Sequence, residues 1–123
     1  MGLSRDKILS RKGGKITELA VPEWGGTVLL RVMTSRERDG FEAATLDKSG
    51  TARMVNIRAR LAALSICDTA GARLFNDAEI GLLGDLPAPA MDRIFDAAMR
   101  LNRITKDDVD ELEKNSESAP PVA

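Results

Sequence analysis

Apolar residues recur along this chain in two rhythms, and each change of rhythm marks an element. Near the start, Ser4 is a helix-capping type, and Ile8 and Leu9 follow it in a short amphipathic turn that Gly13-Gly14 stops. Two strand-like runs come next, 15–21 and 27–33. In the second, Val28, Leu30 and Val32 share one face while Leu29, Arg31 and Met33 alternate onto the other, the two-residue period of a half-buried strand. Between the runs stands Pro22-Glu23-Trp24-Gly25-Gly26, where proline fixes φ and glycine permits positive φ, so a five-residue hairpin loop is predicted. A lone hairpin is marginal in water and must pack on the helices that follow or pair elsewhere.

The rhythm then becomes helical. Thr34 and Glu37 have capping-box spacing and open a helix predicted to run to about Asp47, burying Phe41, Ala44 and Leu46, with a kink or close packing at Gly40. After a loop at 48–51, the longest predicted helix spans Ala52 to Asp68, with Met54, Ile57, Leu61 and Leu64 in one apolar stripe. Asp68-Thr69-Ala70-Gly71 turns the chain, and Arg73-Leu74-Phe75 reads as a short extended piece. Asn76 and Glu79 repeat the cap-and-reach spacing before a short helix carrying Ile80, Leu82 and Leu83, closed by Gly84 and Pro87. Pro87-Ala88-Pro89 suits the first turn of another helix, which buries Met91, Ile94, Phe95, Ala98 and Leu101. Thr105 caps a final acidic helix through Lys114, in which only Val109 and Leu112 offer apolar contact.

The fold class predicted is therefore α+β: a mainly helical single domain of about four to five helices with an N-terminal β-hairpin, over residues 1–114. Residues 115–123, rich in Ser, Pro and small side chains, read as a disordered tail. The predicted core holds Val28, Leu30, Phe41, Met54, Ile57, Leu61, Leu64, Phe75, Leu83, Ile94, Phe95 and Leu101.

Composition narrows the function more than the fold. No apolar run approaches the roughly 20 residues that span a bilayer, and Met1–Lys12 is too charged for a secretory signal, so a soluble cytoplasmic protein without membrane contact is expected. The chain has no histidine, which removes Ser-His-Asp and Cys-His catalysis and histidine metal sites. Its single cysteine, Cys67, excludes an internal disulfide and reads as a buried small hydrophobe in a helical stretch. Charge is split: residues 1–61 hold 12 Lys/Arg against 7 Asp/Glu (+5), and residues 62–123 hold 6 against 12 (−6). Such a split favours head-to-tail contact or steers a partner, unless both halves are simply solvated.

Candidate chemistry is thin. Asp92 and Asp96 are spaced to share a metal or proton, but they fall opposite the apolar face of their helix; Asp107-Asp108 and Asp110-Glu111-Glu113 form an acidic surface. Asp68-Thr69-Ala70-Gly71 lacks the ligand density of a calcium loop. Gly13-Gly14-Lys15 and Gly25-Gly26-Thr27 are fragments of a phosphate loop without its spacing. Arg36, Arg38, Arg53, Arg58 and Arg60 would cluster if their helices pack side by side, yet an acidic pI near 5.5 and few aromatics argue against nucleic acid. No catalytic residue, metal or cofactor site is read, and the chain is expected not to be an enzyme. Candidate partner contacts are Arg36, Arg38, Arg58, Arg60 and Trp24, the last either anchoring an interface or folding back over the core.

The run Val21-Pro22-Glu23-Trp24-Gly25, then Val28, Arg31, Glu37-Arg38-Asp39 and Phe41-Glu42, resembles the opening of phage tail assembly chaperones. The likeness continues through Arg58, Leu61, Leu64, Asp68, Gly71, Leu74-Phe75, Asp77, Leu101-Asn102, Val109 and Leu112-Glu113-Lys114, over about residues 3–114. The resemblance implies a non-catalytic chaperone of tail morphogenesis, acting in the host cytoplasm and left out of the mature virion. It would bind and solubilise the tape-measure protein, and a frameshift-extended form would recruit the major tail protein. Self-association fits the same role. The alternatives are a virion-resident tail or head–tail joining protein and a small DNA-binding regulator.

Overall fold

A computed structural model describes residues 2–11, 13–45 and 56–104. Among these residues, five α-helices and a three-stranded antiparallel sheet in the order β1-β2-β3 make a mixed, mainly helical α+β fold. Predictions that rest on Leu46, Asp47, Met54, the 48–51 loop, the acidic helix from Thr105 and the 115–123 tail lie outside the described residues.

The first helix, α1 (Arg5–Leu9), forms because the Ser4 hydroxyl accepts from the Lys7 N–H (3.2 Å). It buries none of its residues. Strands β1 (Thr17–Val21) and β2 (Gly26–Leu30) pair with Val21 opposite Gly26. The loop between them is tighter than the predicted five residues: Pro22–Trp24 is one 3₁₀ turn, and Gly25 closes it at φ 69° with its N–H on the Pro22 carbonyl (3.1 Å). β2 also stops three residues earlier than predicted. Past Leu30 the chain leaves the sheet, so the alternation of faces lapses and Met33 turns into the core at 7% exposure.

Helix α2 (Ser35–Ala44) starts at the predicted capping box, with Thr34 Oγ1 accepting from the Glu37 N–H (3.1 Å) and Glu37 Oε1 accepting from the Thr34 N–H (2.9 Å). Phe41 is its buried residue, while Gly40 is exposed and has open space around it, so of the kink or close packing expected there the close packing is absent. Helix α3 (Ile57–Ser65) ends before Asp68 because Ile66–Cys67 becomes β3, paired with Leu29 and Leu30 of β2. Cys67 is buried as expected, but in a strand and not a helix.

The single stripe predicted for α3 proves to be two faces. Ile57, Leu61 and Leu64 enter one cluster with Met33, Phe41, Ala98, Met99 and Ile104. Ala59, Ala62 and Ala63 enter another with Val21, Leu30, Ile66, Leu83, Met91 and Ile94. A helix apolar on nearly all sides is a central one, and its alanine face lets α5 (Ala88–Leu101) and α4 (Ile80–Gly84) come close. Val28, Phe75, Phe95 and Leu101 are half-buried at the edges of these clusters. Asn76 and Glu79 form the second predicted capping box, and proline stands in the first turn of α5 as expected.

Helix α5 ends in a closed C-terminal turn. Asn102 caps it, Arg103 takes the left-handed conformation (φ 55°), and the Ile104 N–H reaches back to the Met99 carbonyl (2.8 Å). With the Arg103 N–H on the Arg100 carbonyl, this is a Schellman closure in which Ile104 packs in the same cluster as Met99.

Candidate functional site

The five residues singled out as partner contacts occupy different surroundings. Trp24 ends the 3₁₀ turn at the hairpin tip and is 41% exposed, so it stays at the surface instead of closing over the core. Its neighbour Glu23 accepts from Arg93 of α5 through both carboxylate oxygens (Nε–Oε1 2.9 Å, Nη2–Oε2 3.0 Å), which ties the tip to that helix. That hydrogen bond holds the Glu23 carboxyl below its ordinary value and raises Arg93.

Arg38 and Arg58 already spend their charge within the chain. Arg38 donates to the Asn102 carbonyl (3.0 Å) and to Glu42 (3.3 Å), clamping α2 onto the end of α5. Arg58 pairs with Asp92, joining α3 to α5, and this accounts for one member of the Asp92/Asp96 pair.

Arg36 and Arg60 do come together. They line a cleft of about 380 Å³ between α2, α3 and the 73–80 segment. Phe41, Ala44, Leu64 and Ile80 supply apolar lining, and Gly40 leaves its α2 side unobstructed. Arg60 Nη1 is buried with no hydrogen-bond partner among the described residues. Such a donor is costly to leave unmet, and a carboxylate satisfies it best. Arg73, on the opposite wall, is held by the Ala63 carbonyl (2.9 Å) and Asp77 (2.8 Å), and among the described residues Arg36 and Arg60 form no ion pair. Glu37 and Asp77 also line the cleft, paired with Arg31 and Arg73, so its rim carries both charges and its unpaired members among the described residues are basic. With the apolar floor, this suits an amphipathic protein segment bearing acidic residues.

Two groups escape sequence reasoning. Arg73 reads only as part of an extended piece; Asp77, four residues on, is a local partner, but the Arg73 bond to the Ala63 carbonyl depends on how the chain turns back on α3. Glu37 is legible as a cap, but its second oxygen also takes Arg31 at 2.5 Å. Burial alone would push the Glu37 carboxyl up; the Arg31 hydrogen bond and the Thr34 N–H outweigh it and hold the carboxyl below its usual range. Burial pushes the Cys67 thiol up, with Arg31 opposing, so it stays protonated near neutral pH. Among the described residues no group of three or more Cys, Asp or Glu is placed to hold a metal ion, and no helix is long and apolar enough to cross a membrane.

No protein-family model and no curated protein matches the chain in sequence. Among solved structures, the chain is similar to the bacteriophage HK97 tail assembly chaperone, with a TM-score of 0.56 and 21% identity, over 71% of this chain and 84% of that one. The likeness shows a shared fold.

Proposed function

We propose that this chain is a non-catalytic chaperone of phage tail assembly that binds and solubilises the tape-measure protein. The observation that carries the reading is the fold shared with 84% of the HK97 chaperone chain. The ordered motifs from Val21-Pro22-Glu23-Trp24-Gly25 to Leu112-Glu113-Lys114 support it independently of the fold. A frameshift-extended form recruits the major tail protein, and the chaperone works in the host cytoplasm and leaves before the virion is complete.

The cleft between α2 and α3 suits this task. A tape measure is a long helical chain whose apolar faces aggregate unless covered. Half-buried Ala44 and Ile80, backed by Phe41 and Leu64 at the floor, offer apolar cover for part of one helix turn, while Arg36 and Arg60 attract acidic residues beside it. A cleft of about 380 Å³ lies at the small end of binding-site sizes. Each contact is therefore modest, and several copies act along one tape measure, which permits later release.

Co-expression with the tape-measure protein of the same phage tests the reading. The chain should raise its soluble fraction and co-purify with it, and Arg36→Glu with Arg60→Glu should reduce both while the domain stays folded. A tape measure that stays insoluble beside folded wild-type chain overturns the proposal. Stoichiometric copies in purified virions would replace it with a head–tail joining role.

A further inference from the structure

Gly40 stands in the middle of the ten-residue helix α2, where glycine weakens a helix relative to alanine. The described fold gives no reason for it. Its φ is not positive; among the glycines that conformation belongs to Gly13, Gly25 and Gly71. A Cβ at position 40 would meet no atom within 4 Å among the described residues. Gly84, also helical, is the contrast: a Cβ there would come within 2.7 Å of Asn56 Oδ1, so close packing accounts for that glycine.

The open side of Gly40 is the cleft between α2 and α3. Arg36, Glu37, Phe41 and Ala44, its neighbours on one face of α2, line the cleft with it. A side chain at 40 would therefore project among them and into the cleft. Phe41 and Leu64 are buried at the floor, and Ala44 and Ile80 are half-buried at the sides. Arg60 Nη1 is buried in the same lining with no hydrogen-bond partner among the described residues. The gap is a hole of the kind that a side chain from a second helix fills in knobs-into-holes packing. The unmet guanidinium calls for an acceptor beside it, and a carboxylate is the strongest one.

We infer that Gly40 is the specificity-determining position of this cleft. Its missing side chain admits one large apolar side chain from a partner helix, and an acidic residue three or four positions along that helix meets Arg60. Residues so spaced share one face of a helix, so a single turn supplies both contacts. The glycine that weakens α2 in the free chain thus serves the bound state. The partner helix belongs to the tape-measure protein, so this inference rests on the chaperone reading and names the contact on which selection acts.

Gly40→Gln in the full chain tests it, because glutamine favours helix and fills the hole without adding charge. Gly81→Gln is the control: Gly81 is also an exposed helix glycine with nothing within 4 Å of a Cβ, but it does not line the cleft. Both variants should match or exceed the urea midpoint of the wild-type chain. Co-expressed with the tape-measure protein of the same phage, Gly40→Gln should capture at least about fivefold less, the lower end for overfilling a packed contact. Gly81→Gln should capture as much as wild type. A chain that is as stable yet binds less has not lost binding through unfolding. Equal capture by Gly40→Gln and wild type overturns the inference and leaves the chaperone reading standing, as does an equal loss in Gly81→Gln. A lower urea midpoint in Gly40→Gln shows that the space is not open and overturns the inference alone. No capture by folded wild-type chain overturns the chaperone reading and this inference with it. If Gly40→Gln instead disperses a self-associated chain without changing capture, a second copy fills the hole and the inference is wrong.

Discussion

Asn102 is 7% exposed and makes three connections at the place where the sheet, α2 and α5 meet. Its Oδ1 accepts from the Met33 N–H (2.7 Å), its Nδ2 donates to the Ala98 carbonyl (2.8 Å), and its own carbonyl accepts from Arg38 (3.0 Å). Asn102→Ala removes the first two and spares the third. The Ala98 carbonyl keeps the backbone N–H of residue 102 (3.0 Å), so losing Nδ2 costs at most about 1 kcal/mol. The Met33 N–H has no second acceptor among the described residues and is left buried and unmet, which costs about 1–3 kcal/mol. The expected loss is about 2–3 kcal/mol, roughly a 30- to 160-fold shift toward the unfolded state. That is a large fraction of the 5–15 kcal/mol typical of a domain. Urea titration should show a lower midpoint with an unchanged slope, and the Met33 amide should exchange faster with solvent. Asn102→Leu distinguishes the cause: it fills the volume but supplies no acceptor, so it should lose nearly as much. A loss below about 0.5 kcal/mol for alanine, or full recovery with leucine, would show that packing and not the Met33 hydrogen bond holds this junction.

Gly40→Ala should stabilise the domain by about 0.5–1 kcal/mol, because a Cβ there meets nothing within 4 Å and glycine weakens a helix interior; a lower melting temperature would contradict the open surroundings. Leu61→Ala should cost about 2–5 kcal/mol by chemical denaturation, since Leu61 is fully buried between α3 and its neighbours and leaves a cavity. Glu37 is lowered in the fold, so its ionised form contributes stability that is present above the unfolded carboxyl pKa of about 4.3 and is lost as pH falls through the lower folded value. Glu37→Gln keeps an acceptor for the Thr34 N–H, so its stability deficit should be constant above about pH 5 and shrink in acid; a pH-independent deficit would show that the Arg31 pairing is not what the charge serves.

What the sequence discloses here is set by the range of each interaction. The two capping boxes, Thr34 with Glu37 and Asn76 with Glu79, are legible because donor and acceptor sit three residues apart. The Pro22 turn with Gly25 is legible for the same reason. Ile66-Cys67 is not, because two apolar residues after a helix continue its pattern; only the edge of β2 makes them a strand. Asn102 reads as an ordinary helix end, and its burial depends on Met33, 69 residues away. The site divides in the same manner. The basic character of α2 and α3 is visible residue by residue, but that Arg36 and Arg60 converge follows from how α2 packs on α3, and that Arg38 and Arg58 are engaged elsewhere follows from where Asn102 and Asp92 fall on α5 and its cap.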